Sequence, residues 1–203
     1  MIHLKKTALG AILVLAVMAT FGAGPASATE LYKYTTPSAN DTLGVGTSIA
    51  ASMTAGYSML RRETTGWTTD TCTSWGLEGT IVAAGGEASH PRISLSTSTI
   101  GSCVNAMKFL KPGELEIKSI AGTTNGNVYL KNAELTYVDT GSLLDCIVKI
   151  EAATLLGTLT GAATGSSTLD IHWQLPAVGW CEDKEVIGTL TITAPTKLVV
   201  EAK

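Results

Sequence analysis

Apolar and polar residues alternate along most of this chain, and this period of two constrains its fold more than any other feature of the sequence. The stretches 49–59, 146–152 and 169–175 all follow the alternation. Successive side chains of a β-strand point to opposite faces, so one set faces a core and the other faces solvent. The pattern therefore predicts a series of half-buried strands.

Turn signals separate these stretches. Pro112-Gly113 suits a type II turn, and Asn125-Gly126 is a strong signal for a two-residue hairpin. Ten or more short strands with frequent turns predict an all-β fold, a β-sandwich or a barrel-like sandwich. Residues 47–62 could also form a helix because alanine tolerates either state, but the alternation favours a strand.

A faint internal repeat has an offset of 78 positions. Gly-Thr-Ile at 79–81 matches Gly-Thr-Leu at 157–159, and Cys103 matches Cys181. The identities are few, so coincidence is the alternative. If the repeat is real, the domain consists of two similar lobes, at about 45–125 and 126–203.

The first 28 residues have the layout of a secretory signal peptide. Lys5 and Lys6 precede an uncharged apolar run over 8–23, and an A-x-A cleavage site ends at Ala28. The apolar run is short for a membrane span of about 20 residues. The interpretation is a secreted all-β domain over 29–203, extracellular or in the cell envelope, with no membrane span in the mature chain.

The charge balance argues against two classes of partner. The chain has a formal net charge of −3, and its leader carries two lysines and no acid, so the mature part is more negative still. No basic patch interrupts this balance. Nucleic acid and anionic membrane surfaces are therefore poor partners.

The four cysteines predict a disulfide framework, since the chain is expected to reach an oxidising compartment. None lies in the close C-x-x-C spacing typical of zinc or redox sites. Three pairings are possible, and the repeat favours Cys72–Cys103 and Cys146–Cys181, which gives two disulfides.

Three stretches, Tyr34–Met53, Leu110–Ile117 and Gly157–Ile171, together with the cysteine layout, resemble a group of actinobacterial secreted proteins. Proteins of that group typically carry a signal peptide, four cysteines and strands rich in Thr, Ser and Gly. The resemblance implies export and an all-β fold. It implies no activity and no site residue.

Catalytic arrangements are weakly supported. Asp170 and His172 share one face of a strand, but that face is the polar one, so a solvated pair is favoured over part of a catalytic triad. Glu114 and Glu116 alternate on another strand, as exposed carboxylates often do, which gives little support to a glycosidase pair. The two mature histidines, His90 and His172, share no metal-ligand spacing. No metal or cofactor is predicted.

Tryptophans offer one candidate binding surface. Trp67 lies in the polar stretch 63–71, and Trp75 follows on the other side of Cys72. Flat aromatic faces can hold sugars by burying their C–H surface, so Trp67 and Trp75 are candidate ligand-binding residues. Trp173 alternates with apolar residues and is predicted to lie in the core.

These features favour a non-enzymatic extracellular or cell-envelope protein with a structural or adhesive role. Its expected partners are a second copy, recruited through exposed strand edges, or a cell-surface glycan. The alternative is a carbohydrate-binding module that uses exposed tryptophans. The third candidate is a hydrolase of unknown type, which would need His90 or His172 beside a serine and an acid in a pocket.

Overall fold

A computed structural model describes residues 28–33, 41–53, 58–63, 66–86, 89–103, 107–139, 144–162, 164–176, 178–179 and 184–202. Of residues 58–63, 66–71, 102, 138, 139, 144 and 184 it describes only the backbone. Fifteen strands lie within these ranges. In chain order they are β1 (Thr29–Lys33), β2 (Ser48–Met53), β3 (Ser58–Glu63), β4 (Gly66–Ala83), β5 (Gly85–Gly86), β6 (Arg92–Cys103), β7 (Met107–Lys111), β8 (Glu114–Ser119), β9 (Gly126–Lys131), β10 (Ala133–Asp139), β11 (Leu144–Ile150), β12 (Thr154–Thr160), β13 (Thr168–Leu175), β14 (Lys184–Ala194) and β15 (Leu198–Ala202).

Eight of the strands form a closed antiparallel barrel. Their order is β2-β14-β13-β12-β9-β8-β6-β4, and pairing of β2 with β4 completes the circle, while β3 continues the sheet beside β4. From β4 to β14, each barrel strand pairs with the barrel strand that precedes it in the chain. This is an up-and-down arrangement. The predicted all-β class is confirmed, and the helix considered for 47–62 is wrong wherever that range is described.

The apolar residues of the alternating stretches point into the barrel and fill its interior. Along β13 the inward residues Leu169, Ile171, Trp173 and Leu175 are buried, and the polar residues between them are exposed. Among the described residues, a cavity of only about 30 Å³ lies in the interior and is lined by apolar side chains. An eight-stranded barrel can hold a small ligand or be filled by side chains, and this barrel is filled.

Two three-stranded sheets cover the two ends of the barrel. The sheet β15-β1-β5 covers one end, where Leu198 reaches the interior cavity. Two buried polar residues hold it there. The Ser167 hydroxyl donates to the Leu198 carbonyl at 2.7 Å and accepts from the Leu198 N–H at 2.8 Å, and Thr29 Oγ1 bonds Ser119.

The sheet β11-β10-β7 lies at the opposite end, because the chain leaves the barrel there between β6 and β8 and again between β9 and β12. Phe109 of β7 stacks on the buried Trp173, with ring centroids 6.2 Å apart. The disulfide Cys72–Cys103 joins β4 and β6 at this end, where the two cysteines are paired in register. This is the pairing that the repeat favoured.

Each predicted lobe supplies four consecutive barrel strands, the first β2, β4, β6 and β8, and the second β9, β12, β13 and β14. The two sets enclose one interior and do not face each other as the two sheets of a sandwich. Gly79 and Gly157, which the repeat equates, both lie where an added Cβ would collide with the neighbouring strand, at 2.5 and 2.1 Å from a carbonyl oxygen. The repeat itself stays a prediction.

No helix in the described part of the chain is long and apolar enough to cross a membrane. The predicted signal peptide lies outside the described residues, apart from Ala28.

Candidate functional site

A concave groove of about 800 Å³ lies on the outer surface of β12, β13 and β14. We call it the outer groove. Its lining includes the apolar residues Leu155 and Ile187 and the polar residues Thr158, Asp170, His172, Gln174 and Thr189. The alternation that buries one face of β13 presents Asp170, His172 and Gln174 to this groove.

Glycines form the floor of the outer groove. Gly157, Ile171 and Gly188 are paired in register across the three strands. The two glycines have no side chain to hold their strands away from the barrel interior, and β12 has a bulge between Leu155 and Gly157. Neighbouring backbones therefore approach closely at Gly157, and the outer surface is recessed at this point.

Asp170 lies at the centre of a row of hydroxyl groups. It is paired in register with Thr158 on one side and Thr189 on the other. Thr189 Oγ1 donates a hydrogen bond of 2.7 Å to the Asp170 carboxylate, and Thr160 Oγ1 donates a longer one of 3.4 Å. A carboxylate has about four acceptor positions, so these two bonds leave room for donors of a ligand.

His172 is oriented by Glu185 of β14. A ring nitrogen, Nε2, forms a short contact with Glu185 Oε1. The histidine side chain is 64% exposed whereas that of Glu185 is 14% exposed. The largely buried Glu185 thus orients the imidazole ring through Nε2, and the rest of the ring remains exposed in the groove.

The outer groove has an acidic character. It presents the carboxylate of Asp170, with Glu185 beside it, and neither lysine nor arginine is among its described lining residues. Anions are repelled by such a site. Its carboxylate oxygens are acceptors suited to a neutral ligand rich in hydroxyl donors or to a cationic one.

Each of the two mature histidines contacts a side chain other than a serine. His172 contacts Glu185, and His90 Nδ1 contacts Thr29 Oγ1 at 3.1 Å. Thr29 is fully buried, so a substrate cannot reach its hydroxyl. The hydrogen bonds described for these two histidines include none to a serine, and the hydrolase alternative stays a prediction.

Glu114 and Glu116, considered as a glycosidase pair, belong to an ion-pair network on the outer surface of β6, β8 and β9. Lys131 bridges both, at 3.0 Å to Glu114 and 3.4 Å to Glu116. Arg92 contacts Glu114 and Lys118 contacts Glu116, at 3.4 and 3.2 Å. We call these five residues the ion-pair face.

The pKa of Glu116 is shifted in the direction opposite to that of a general acid. Burial acts to raise the pKa of Glu116, but hydrogen bonds and charges from Lys118 and Lys131 outweigh it and lower the pKa. The hydrogen bond to Glu114 raises the pKa of Lys131. A catalytic acid at neutral pH needs a raised carboxyl pKa, which Glu116 does not have.

Of the two predicted ligand-binding tryptophans, the structure describes the side chain of Trp75 alone. Trp75 is only 3% exposed and packs in the core, which removes it as a stacking surface for a ligand. The side chain of Trp67 lies outside the described residues, although its backbone belongs to β4. Of the second cysteine pair, Cys146 is disulfide-bonded and buried, and Cys181 lies outside the described residues.

Glu185, Thr160 and Thr189 were not singled out from the sequence. Their alternation with buried residues predicts that they face outward, but only the pairing of β14 and β12 with β13 brings them to Asp170 and His172. The described residues contain no group of three or more His, Cys, Asp or Glu side chains that could hold a metal ion.

Comparison of the chain with protein-family models, with curated proteins and with solved structures finds no match. The resemblance to actinobacterial secreted proteins stays a prediction.

Proposed function

We propose that this protein is an exported, non-enzymatic protein with a structural or adhesive role in the cell envelope or outside the cell, and that it attaches to a surface glycan through the outer groove. The observation that carries the proposal is the contrast between a recessed, polar outer groove and a barrel interior filled by side chains. A cavity of about 30 Å³ has no room for a small-molecule ligand, so binding belongs on the outside.

The chemistry of the groove favours a neutral polyhydroxylated ligand. Each hydroxyl of a sugar can donate to Asp170 and accept from Gln174 or Thr158. Ile187, which is paired in register with His172, and Leu155, which is 45% exposed, line the groove and offer apolar surface to the C–H face of a sugar ring. The volume of about 800 Å³ lies in the usual range of ligand sites, about 300–1,000 Å³.

The non-enzymatic part of the proposal is supported by the placement of the candidate catalytic groups. His172 and Asp170 contact an acid and threonine hydroxyls, and Glu114 and Glu116 are neutralised by lysines. The carbohydrate-binding alternative relied on exposed tryptophans, and Trp75 is buried in the core. We therefore assign sugar binding to the outer groove.

The experiment is a retention assay of the mature protein on isolated cell envelopes and on a panel of insoluble neutral glycans. We expect retention that falls at least tenfold in Asp170→Ala and in Gln174→Ala. The matched control is Ser94→Ala, an exposed position of β6 outside the groove, which should bind as the native protein does. Circular dichroism and thermal unfolding of each variant establish that the fold is intact.

Three outcomes would contradict the proposal. One is retention on no envelope and no glycan. Another is retention that the groove variants leave unchanged. The last is release of soluble sugar from any glycan by the native protein, if His172→Ala abolishes it, because that result would make the groove an active site.

A further inference from the structure

We propose that the protein forms a symmetric dimer by antiparallel pairing of β11 with β11 of a second copy. The observations are the free edge of this strand, the exposure of Ile147 and a charge pattern that is complementary to itself. The proposal does not depend on which ligand the outer groove binds.

The strand β11 is at the edge of the sheet β11-β10-β7. Among the described residues it pairs only with β10, over its full length from Leu144 to Ile150. The eight barrel strands form a closed circle, so the strand edges among the described residues belong to strands outside that circle, as β11 does. The unpaired N–H and C=O groups of an edge strand can accept another strand.

The exposed face of β11 reads Asp145, Ile147 and Lys149. Ile147 is 47% exposed, and it lies at the midpoint of the strand between an acid and a base. Cys146, Val148 and Ile150 alternate with these residues and are buried within the chain's own core. Only the outward set is free to contact a second copy.

A two-fold axis through Ile147 makes this face complementary to itself. In antiparallel pairing about that residue, Asp145 lies opposite Lys149 of the second copy, Ile147 lies opposite Ile147, and Lys149 lies opposite Asp145. Directly opposed side chains have Cβ atoms about 4.5–5.5 Å apart, so both ion pairs and the apolar pair form across the strands. A dimer of this kind is isologous, with the same surface used by both copies.

Two other edge strands, β7 and β15, are less suited to pairing with a second copy. The outer edge of the same sheet is β7, whose exposed residues include Lys108 and Lys111, and lysine on an edge discourages pairing. On β15, Val200 N–H bonds the Thr124 carbonyl and Leu198 N–H bonds Ser167 Oγ, so this edge is occupied within the chain.

Pairing through β11 would join the sheets β11-β10-β7 of two copies into one continuous six-stranded sheet. It would also place two outer grooves in one assembly. Two sites that engage one surface raise the overall avidity without new contacts, which suits an adhesive role.

The first test is sedimentation velocity of the mature protein over a concentration series at low salt. We expect a monomer–dimer equilibrium. Asp145→Lys and Lys149→Asp, made singly, each put like charges opposite one another at both ends of the interface and should weaken dimerisation at least tenfold. The double variant Asp145→Lys/Lys149→Asp restores opposite charges and should recover the native association.

The matched control is Lys108→Glu, an exposed charge on the other edge of the same sheet. Recovery by the double swap, with an unaffected control, supports the interface and cannot arise from misfolding of the single variants. A strict monomer at every concentration overturns the proposal. So does a dimer that the β11 variants do not weaken, or that Lys108→Glu weakens equally.

A cross-linking test locates the two-fold axis. Ile147→Cys should form an intermolecular disulfide in air because the axis brings the two copies of this position together, with a spacing suited to a disulfide. Leu110→Cys on β7 is the control, since Leu110 is 54% exposed but lies away from the axis. Equal cross-linking of both variants would show random collision and would contradict the proposed axis.

Discussion

The outer groove and the ion-pair face are built from the same alternation and differ in what lies beneath them. Under the groove, the inward residues in register are Gly157, Ile171 and Gly188. Under the ion-pair face, the corresponding row is formed by three large apolar residues, Ile93, Leu115 and Leu130. Large inward side chains hold strands at a distance from the barrel interior, whereas glycines let them approach it.

The polar groups of the two regions also differ in how they are satisfied. On the ion-pair face, Lys131 and its neighbours neutralise both glutamates, and Lys118 also lies 4.8 Å above the Tyr129 ring. In the groove, Asp170 receives only hydroxyl groups and keeps acceptor capacity. A polar strand face thus becomes a candidate site where its backbone is recessed and where the protein itself does not neutralise its charges.

The largest expected effect is on the floor of the groove. Gly157→Ala should reduce the free energy of unfolding by about 3 kcal/mol, because the added Cβ would lie 2.1 Å from the Asp170 carbonyl oxygen. Gly188→Ala is the matched control. Its nearest neighbour is Met53 Cε at 4.0 Å, so we expect a change within about 1 kcal/mol. Chemical denaturation measures both, and equal costs would show that the close approach at Gly157 is unimportant.

On the ion-pair face, Lys131→Met should reduce the free energy of unfolding by about 1 kcal/mol, since it leaves two glutamates without their shared cation. The side chains of Lys131, Glu114 and Glu116 are 20, 19 and 18% exposed, so solvent screens them only in part. Lys108→Met, at an exposed position, should change stability by less than about 0.5 kcal/mol. A Lys131 variant as stable as native would mean that the network contributes nothing.

The pH dependence of the free energy of unfolding tests the ion pairing of Glu116 on the ion-pair face. Because the pKa of Glu116 is lower in the folded chain than in the unfolded chain, its contribution is full above about pH 5 and is lost as the pH falls through the folded value. The raised pKa of Lys131 keeps its charge throughout this range. The stability difference between native protein and Glu116→Gln should therefore shrink from pH 7 to pH 3. A difference that stays constant would contradict the ion pairing.

The smallest expected effect is at the edge of the groove. Thr189→Val removes a single exposed hydrogen bond to Asp170 and should cost about 0.5 kcal/mol in the free energy of unfolding. Thr193→Val, at an exposed position further along β14, is the control and should be neutral. A cost above about 2 kcal/mol would place Asp170 in a structural network comparable to the ion-pair face and would weaken the case for free acceptor capacity.

Much of the strand structure follows from the sequence. The alternation correctly placed Trp173 in the core and put Asp170 and His172 together on the solvent side of β13. The strands β8 and β9 pair in register as the two arms of a hairpin, but residues 120–125 connect them and Gly126 begins β9, so the predicted two-residue turn at Asn125-Gly126 is wrong. These features are local, since a strand has a period of two and a short turn determines which residues face each other.

The candidate site was less accessible from the sequence. Trp75 was a candidate for ligand binding because it lies close to Cys72 and Trp67 in the sequence, but the barrel buries it. Glu185 looked like one acid among many, and pairing of β13 with β14 brings it to His172. Such relations join residues that are distant in the chain, and their register depends on the energy of the whole sheet.

By itself the sequence determined the all-β class, the face to which most residues of each strand belong, and the favoured partner of Cys72, because each of these rests on local periodicity or on a spacing within the chain. Only the tertiary structure decided that the sheet closes, with β2 inserted between β14 and β4, and that the surface is recessed over Gly157 and Gly188. Closure and curvature arise from pairing between the first and last barrel strands and from the packing of all inward side chains together, and no single stretch of sequence contains that information.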